Sequence, residues 1–237
     1  EKKKIAQFCN VREECVISAL DATSIYKVPK NLHLEGLDAR VLEHFKMKSK
    51  SELSLKEWER IVTRFESPRG EVNIAVVGKY TSIGDSYKSL TEALDHAGIE
   101  HNVRVNVEWV NARVFESADA EQKLSHVDAI LVPGGFGEEG VKGKIAAVKF
   151  ARENKVPYFG ICYGMQLAAI EFARNVCGIK DATSREWHDE NKRAGNFVID
   201  IMAEQRGIAN KGGTMRLGAY TCHLTQGSKA FQAYKMP

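Results

Sequence analysis

From residue 71 onward, short apolar runs alternate with longer amphipathic stretches. Runs rich in β-branched residues predict strands at 72–77, 103–110, 128–132 and 156–160. Apolar positions with helical spacing predict helices at 86–97, 142–154 and 163–175. Strands and helices that alternate in this way predict an α/β fold, with an open, mainly parallel sheet and helices on both faces.

The first 70 residues have a weaker pattern. The run Ile5–Cys9 predicts a strand, and the apolar positions from Leu34 to Phe45 predict a helix. Residues 51–62 open with a capping-box signature and predict a further helix, after which Ser67-Pro68-Arg69-Gly70 marks a linker. Residues 1–48 are too few for a substantial core of their own, so we expect them to be a piece of another domain.

The charge balance gives no electrostatic case for nucleic acid or a membrane as a partner. The 237 residues carry 34 basic and 31 acidic side chains, a net charge of +3. No apolar stretch approaches the roughly 20 residues of a membrane span, and no signal peptide opens the chain. The five cysteines are scattered and lack C-x-x-C spacing. We therefore expect a cytoplasmic protein without a zinc site.

A cysteine stands where a predicted strand meets a predicted helix. The segment Gly160–Gln166 reads Gly-Ile-Cys-Tyr-Gly-Met-Gln, with Cys162 between two glycines. Such a pentad indicates a nucleophile elbow, because the glycines permit a sharp turn that exposes the sulfur. The helix N-terminus behind it would stabilise a thiolate. The alternative is a free cysteine that is buried as a small hydrophobe.

A second glycine-rich turn follows the strand at 128–132, in the sequence Pro133-Gly134-Gly135-Phe136-Gly137. Alone it could be a phosphate cradle, although it lacks the G-x-x-x-x-G-K-[ST] pattern. Both turns come at the carboxyl ends of strands, where open α/β sheets place their sites. Together they predict an oxyanion hole beside Cys162, whose donors are the backbone N–H groups of Gly135 and Tyr163.

These two turns resemble those of class I (triad-type) glutamine amidotransferases, and further segments narrow the resemblance to the CTP synthase family. The segments that carry it are Lys4–Val11, Ile25–Pro29, Gly36–Asp38, Val77–Tyr80, Asp85–Leu90, Pro133–Gly137, Ala151–Asn154, Gly160–Gln166 and Gly212–Gly218. The resemblance implies the C-terminal part of a P-loop-type α/β amidoligase domain at 1–48 and a linker with a helix at 49–70. It implies a truncated, flavodoxin-like glutamine amidotransferase domain at 71–237.

The resemblance also implies an activity. Members of this family aminate UTP to CTP in a ligase reaction that needs ATP and Mg²⁺, with ammonia that a cysteine nucleophile releases from glutamine. They are homotetramers, CTP acts as a feedback inhibitor, and GTP stimulates the glutaminase. We expect neither nucleic acid nor a membrane as a partner. We also expect no cofactor bound to residues 1–237 and only weak nucleotide binding by them.

Site residues are carried over from the family position by position. Cys162 is the implied nucleophile, and the implied glutamine contacts are Gly135, Tyr163, Gly164, Met165, Gln166 and Glu186. Without the resemblance, Glu186 would be taken for a solvated carboxylate. The implied nucleotide contacts are Lys4, Leu20, Asp21 and Ala22. No metal ligand is implied within the chain, because the family's phosphate loop and magnesium carboxylates lie upstream.

The general base of the implied triad is expected outside residues 1–237. The family supplies it from a downstream His-x-Glu, so we expect residues 1–237 alone to show no useful glutaminase turnover. The sequence His188-Asp189-Glu190 imitates that motif. It lies in a polar, loop-like stretch, which favours a solvated histidine over a catalytic base.

Two positions depart from the family pattern. Tyr163 replaces a leucine, and its larger ring is expected to alter the access of glutamine while its N–H still serves the oxyanion hole. Glu139 replaces an arginine that has been thought to support stimulation by GTP. A carboxylate there is expected to repel a triphosphate, so we expect GTP stimulation to be weak.

Two other classes of protein stay open. One is a non-catalytic or regulatory glutaminase-like module, which the intact turn at Cys162 argues against. The other is a different class I amidotransferase, such as those of GMP or anthranilate synthesis. The amidoligase-like segment at 1–48 and the sequence Gly212–Gly218 argue against that second class.

Overall fold

The computed structural model describes residues 1–49, 53–79, 87–116, 119–188, 195–202, 219 and 221–234. The chain divides into two compact units, residues 1–172 and residues 173–237. The sequence signals at residues 51–52, 80, 85–86 and 212–218 lie outside the described residues. No helix that the described residues form is long and apolar enough to cross a membrane.

The first unit begins with helices rather than with a strand. These helices are α1 (Lys2–Cys9), α2 (Val28–Leu34), α3 (Leu37–His44) and α4 (Lys56–Glu66). The predicted strand at Ile5–Cys9 is therefore wrong, because α1 runs through it and is capped by Asn10, which has a left-handed φ of 51°. The apolar residues Ile5, Phe8 and Cys9 have helical spacing, and a helix satisfies its backbone groups without a neighbouring strand.

The linker helix α4 contacts both the preceding helices and the sheet region. The Trp58 indole N–H donates a hydrogen bond to the Tyr26 carbonyl. The Arg64 guanidinium donates to the carbonyl oxygens of Ile99, at 3.2 Å, and Glu100, at 2.8 Å. All of these residues belong to the first unit. The domain boundaries proposed at residues 48 and 70 stay a prediction.

The sheet of the first unit positions the two glycine-rich turns. Its strands are β1 (Gly70–Gly78), β2 (Val103–Asn111), β3 (Ala129–Val132) and β4 (Tyr158–Gly160). Their order is β2-β1-β3-β4, and every pair is parallel, which confirms the predicted sheet. Val132 is paired with Gly160, so β3 and β4 end side by side. The turns that follow these two strands consequently meet at one edge of the sheet.

Helices alternate with these strands as the sequence predicts. They are α5 (Lys88–His101), α6 (Ala120–Leu124), α7 (Val141–Asn154) and α8 (Tyr163–Asn175), the last of which runs from the first unit into the second. Only α6 was missed, because five residues are too few to show a helical period. A buried cluster joins the strands to α6 and α7 and contains Ala75, Val77, Val110, Leu124, Ile130, Val132, Ala147, Phe150 and Ala151.

The second unit contains a small parallel pair of strands. They are β5 (Thr183–Ser184) and β6 (Phe197–Ile199), and a short helix, α9 (Lys229–Tyr234), follows later in the chain. The Arg174 guanidinium donates to the Ala182 carbonyl at 2.7 Å. This bond ties the end of α8 to the segment that leads into β5.

A buried ion pair joins α7 to α8. The Glu171 side chain is 1% exposed, and the Arg152 guanidinium donates three hydrogen bonds to its carboxylate at 2.8, 3.0 and 3.1 Å. The second partner of Arg152 is Glu153, whose side chain is 50% exposed, at 3.2 Å. Arg152 therefore pairs with one buried carboxylate and one exposed carboxylate, which can be compared directly.

Removing the buried carboxylate is expected to destabilise the protein far more than removing the exposed one. Glu171→Ala should lower the free energy of unfolding by roughly 2–4 kcal/mol, because it removes the buried carboxylate that accepts three hydrogen bonds from Arg152. Glu153→Ala, the matched control, should cost less than about 1 kcal/mol. Urea unfolding of both variants measures the difference. Equal losses would contradict the structural role assigned to Glu171.

Candidate active site

Cys162 stands in a strained turn between a strand and a helix. β4 ends at Gly160 and α8 begins at Tyr163, so only Ile161 and Cys162 connect them. Cys162 has a φ of 52°, a left-handed conformation that residues other than glycine rarely adopt, and it is exposed. Strain and exposure at this junction are the geometry of a nucleophile elbow and not that of a buried packing residue.

The glycines around Cys162 are required by close backbone contacts. A Cβ on Gly164 would lie 2.1 Å from the Val132 carbonyl oxygen, and a Cβ on Gly160 would lie 2.5 Å from the Gly164 carbonyl carbon. No side chain fits at either distance, so the first turn of α8 packs directly on the end of β3. The Ile161 N–H also donates to the Val132 carbonyl at 3.0 Å. These contacts fix Cys162 at the carboxyl edge of the sheet.

The loop Pro133–Gly137 passes beside the cysteine. A Cβ built on Gly134 would lie 3.6 Å from the Cys162 Cβ, and one built on Gly135 would lie 3.9 Å from Cδ1 of Tyr163. Among the residues that the structure describes, the Gly135 N–H has no hydrogen-bond acceptor. The structure thus brings together the nucleophile and the two residues predicted to donate hydrogen bonds to an oxyanion.

The Tyr163 side chain lies beneath this loop. It is 1% exposed, and its hydroxyl donates to the Gly137 carbonyl at 2.5 Å. The ring is therefore buried and does not project to the surface where Cys162 and Met165 are exposed. The sequence-based expectation that the ring alters the access of glutamine has no basis in this arrangement. The ring instead links the first residue of α8 to the glycine-rich loop.

Glu139 is paired with two cations rather than standing alone. Its carboxylate lies 2.6 Å from the Lys79 ammonium at the end of β1 and also contacts the Arg113 guanidinium beyond β2. The hydrogen bond from Lys79 is the main cause that holds the pKa of Glu139 below its usual value, and the Arg113 charge adds to it. The charge of Glu139 is thereby neutralised locally, which changes the expected reason for weak GTP binding. The Glu139 carboxylate forms ion pairs with two basic side chains, which are then less available to a triphosphate.

The remaining glutamine contacts implied by the resemblance are placed in two parts of the chain. Met165 is 58% exposed and Gln166 is half-buried, both in the first turn of α8 beside Cys162. Glu186 lies in the second unit, in a 3₁₀ turn at Arg185–Trp187, where its N–H donates to the Ser184 hydroxyl at 3.2 Å. The role of Glu186 in glutamine binding stays a prediction.

The implied nucleotide contacts are partly brought together. Leu20, Asp21 and Ala22 line a cavity of about 320 Å³ that is also lined by residues of α2. Lys4 lies on α1 with an exposed side chain and does not line this cavity. Nowhere in the described part of the chain do three or more His, Cys, Asp or Glu side chains form a group that could hold a metal ion. Nucleotide binding at these residues stays a prediction.

The His188 side chain contacts two residues of the second unit. Its Nε2 lies 3.1 Å from the Thr183 hydroxyl, and its ring packs edge-on against Phe197 with 5.5 Å between ring centres. The sequence predicts a solvated histidine, but the His188 side chain is half-buried and packed. Asp189 and Glu190, which complete the imitation of His-x-Glu, lie outside the described residues.

Because packing accounts for His188, its loss is expected to have a modest effect on catalysis. In the full-length protein, His188→Ala should change the glutaminase kcat by well under the roughly 100-fold that loss of a general base brings. Steady-state ammonia release from glutamine measures this, with circular dichroism to verify folding. A loss of 100-fold or more in a folded variant would identify His188 as the base.

Sequence reasoning missed one residue beside the loop. Lys144 on α7 is 2% exposed, although lysine is almost never fully buried without a partner. It lies on the same helix face as the buried residues Val141, Val148 and Ala151. The sequence signal for this burial was a lysine within an apolar stripe at helical spacing. Such a lysine is usually explained by a long side chain that reaches the surface, so the signal does not single out Lys144.

Two family models match this chain. Residues 82–236 match the model described as "Glutamine amidotransferase class-I", and residues 1–47 match the model described as "CTP synthase N-terminus". Together they leave out the segment that contains α4 and β1.

Curated relatives match over nearly the whole chain. The CTP synthase of Bdellovibrio bacteriovorus is 56% identical over 234 residues, which is 99% of this chain and 44% of that protein. The CTP synthase of Carboxydothermus hydrogenoformans is 51% identical over 232 residues, which is 98% of this chain and 43% of that protein. The chain therefore spans less than half the length of these relatives. A solved structure described as "Trypanosoma brucei CTPS - glutaminase domain with bound acivicin" is 44% identical, covering 51% of this chain and 47% of that one, with a TM-score of 0.47.

Proposed function

The chain belongs to the class I glutamine amidotransferase family, and on this premise we propose that it hydrolyses the side-chain amide of glutamine with Cys162 as the nucleophile. The observation that carries the proposal is the exposed, left-handed Cys162 with the backbone of Gly134 and Gly135 beside it. A cysteine kept only for packing needs neither the strain nor the exposure.

In the proposed reaction the Cys162 thiolate attacks the amide carbon of glutamine, and the amide oxygen becomes an oxyanion. The N–H groups of Gly135 and Tyr163 donate to the oxyanion. Collapse expels ammonia and leaves a thioester, which water hydrolyses to glutamate and free Cys162. By family resemblance, the proton is carried by a histidine downstream of residue 237.

The released ammonia is proposed to aminate UTP to CTP. Support comes from relatives named CTP synthase, which are 51–56% identical to nearly all of this chain. The match of residues 1–47 to a CTP synthase N-terminal model supports the same assignment. Because the chain spans less than half of those relatives, the ligase reaction is proposed for the whole protein. Lys4 and the cavity at Leu20–Ala22 are its proposed nucleotide contacts.

ATP and Mg²⁺ are the proposed cofactors of that ligase reaction. The described residues contain no carboxylate cluster that fits a magnesium ion, so none of them is assigned to the metal. The other proposed partners are CTP as feedback inhibitor and further copies of the protein in a homotetramer. Stimulation by GTP is proposed to be weak, because Lys79 and Arg113 already form ion pairs with Glu139 and are less available to a triphosphate. The proposed location is the cytoplasm, where the five free cysteines would stay reduced.

Two assays on the full-length protein test the proposal. The first measures ammonia release from glutamine, with and without GTP. The second measures CTP formation from UTP, ATP and Mg²⁺ with either glutamine or ammonia as the nitrogen source. We expect glutamine hydrolysis and CTP formation from both sources. Hydrolysis that aminates another acceptor would identify a different class I amidotransferase, and no hydrolysis would identify a non-catalytic module.

A further inference from the structure

A buried cation borders the proposed oxyanion hole and has no part in the reaction described above. The Lys144 side chain is almost completely enclosed, at 2% exposure. Its Nζ lies 3.8 Å from the position that a Cβ on Gly135 would occupy. The same atom lies 5.2 Å from the centre of the Tyr163 ring. The ammonium is therefore next to both residues that are proposed to donate to the oxyanion.

Lys144 makes no ion pair with any described carboxylate. The nearby Glu139 directs its carboxylate to Lys79 and Arg113 instead. Burial lowers the pKa of Lys144, the Lys79 charge lowers it further, and the Glu139 charge opposes both effects. Burying an ammonium without a paired carboxylate is unfavourable, and the contact with the Tyr163 ring compensates only in part. The Lys144 nitrogen is thus enclosed beside the glycine-rich loop without an ion-pair partner among the described residues.

We propose that Lys144 is a positioning residue for the oxyanion hole: its ammonium supports the Gly135 loop and stabilises the negative charge that develops on the substrate oxygen. This inference rests on the proposed function. A charge held in a desolvated position acts more strongly than a surface charge, because less water screens it. Since the negative charge moves from the Cys162 sulfur to the substrate oxygen as the oxyanion forms, the stabilisation arises at that step, which is where it accelerates the reaction.

Two reagents that react with Cys162 separate this role from a general effect on the thiol. Glutamate γ-semialdehyde is the aldehyde analogue of glutamine. The thiolate sulfur bonds to its carbonyl carbon as the C=O π bond breaks, and the oxygen then carries the negative charge where the oxyanion would form. Iodoacetamide alkylates the sulfur and releases iodide, so no oxyanion forms. Only the aldehyde adduct reports on the oxyanion hole.

In the full-length protein, Lys144→Met should weaken the aldehyde adduct by about 10- to 100-fold, less than the loss of a direct oxyanion donor. The rate of alkylation by iodoacetamide should change by less than about threefold, because the α8 N-terminus stays in place. Lys144→Arg should restore most of the affinity, since it keeps the charge. Lys142→Met, an exposed lysine on the same helix, is the matched control and should leave both reactions unchanged.

Other outcomes distinguish the possible errors. Unchanged aldehyde affinity in folded Lys144→Met, or an equal fall in both reactions, would overturn the role proposed for Lys144. A wild-type protein that forms no aldehyde adduct would instead contradict the proposed function. If the Lys144 variants do not fold, Glu139→Gln serves as the test, because it removes a negative charge that favours the ammonium form of Lys144. It should weaken the adduct by about two- to fivefold, and an unchanged affinity would overturn the inference.

Discussion

Glutamine-dependent CTP formation by the full-length protein is expected to fall by more than about 10⁴-fold in the Cys162→Ala variant, while ammonia-dependent formation continues. Without the sulfur no thioester forms, and the oxyanion hole and the bound substrate geometry account only for residual hydrolysis. Free ammonia bypasses this step, so the ligase reaction keeps its nitrogen source. Loss of activity with glutamine but not with ammonia indicates loss of the nucleophile. Loss of activity with both nitrogen sources would indicate loss of the fold.

The measurement is the rate of CTP formation with saturating glutamine or with ammonium chloride. Cys177→Ala is the matched control, because Cys177 is also a free, exposed cysteine but has no left-handed backbone. It should retain both activities. Glutamine use that persists in a folded Cys162→Ala protein would show that Cys162 is not the nucleophile.

A single methyl group on Gly164 is expected to disable the elbow while leaving Cys162 in the sequence. The added Cβ would lie 2.1 Å from the Val132 carbonyl oxygen, a distance that real Cβ atoms do not show. Because the Val132 carbonyl is backbone and cannot rotate away as a side chain could, α8 must move away from β3. Cys162 then moves with α8. A displacement of about 1 Å at a reacting group can cost on the order of 100-fold in rate. Glutaminase kcat should fall by at least that factor.

Gly70→Ala is the matched control for this change. A Cβ on Gly70 would meet only a Val103 methyl group at 3.7 Å, which is ordinary contact, and both glycines lie in the same unit. Thermal unfolding and ammonia-dependent CTP formation show whether Gly164→Ala still folds. Wild-type glutaminase activity in Gly164→Ala would mean that the close packing of α8 on β3 does not set the position of Cys162.

The sequence by itself determined the sheet and the place of the nucleophile. The four strands from β1 to β4 follow from short β-branched runs, whose hydrophobic period is a local property of the chain. The elbow at Cys162 follows from Gly160 and Gly164, since only glycine permits such close backbone approach. The parallel order then places the Gly135 turn beside the Cys162 turn. The strand and elbow inferences each depend on a few residues that are close together in the sequence.

The tertiary structure decided which side chains surround that nucleophile. Glu139 pairs with Lys79 and Arg113 only because the ends of β1 and β2 meet the loop after β3. Lys144 is buried against Tyr163 because α7 and the start of α8 enclose the same loop. Burial and ion pairing depend on residues distant in sequence, so the electrostatics of the site were fixed only when the chain had folded.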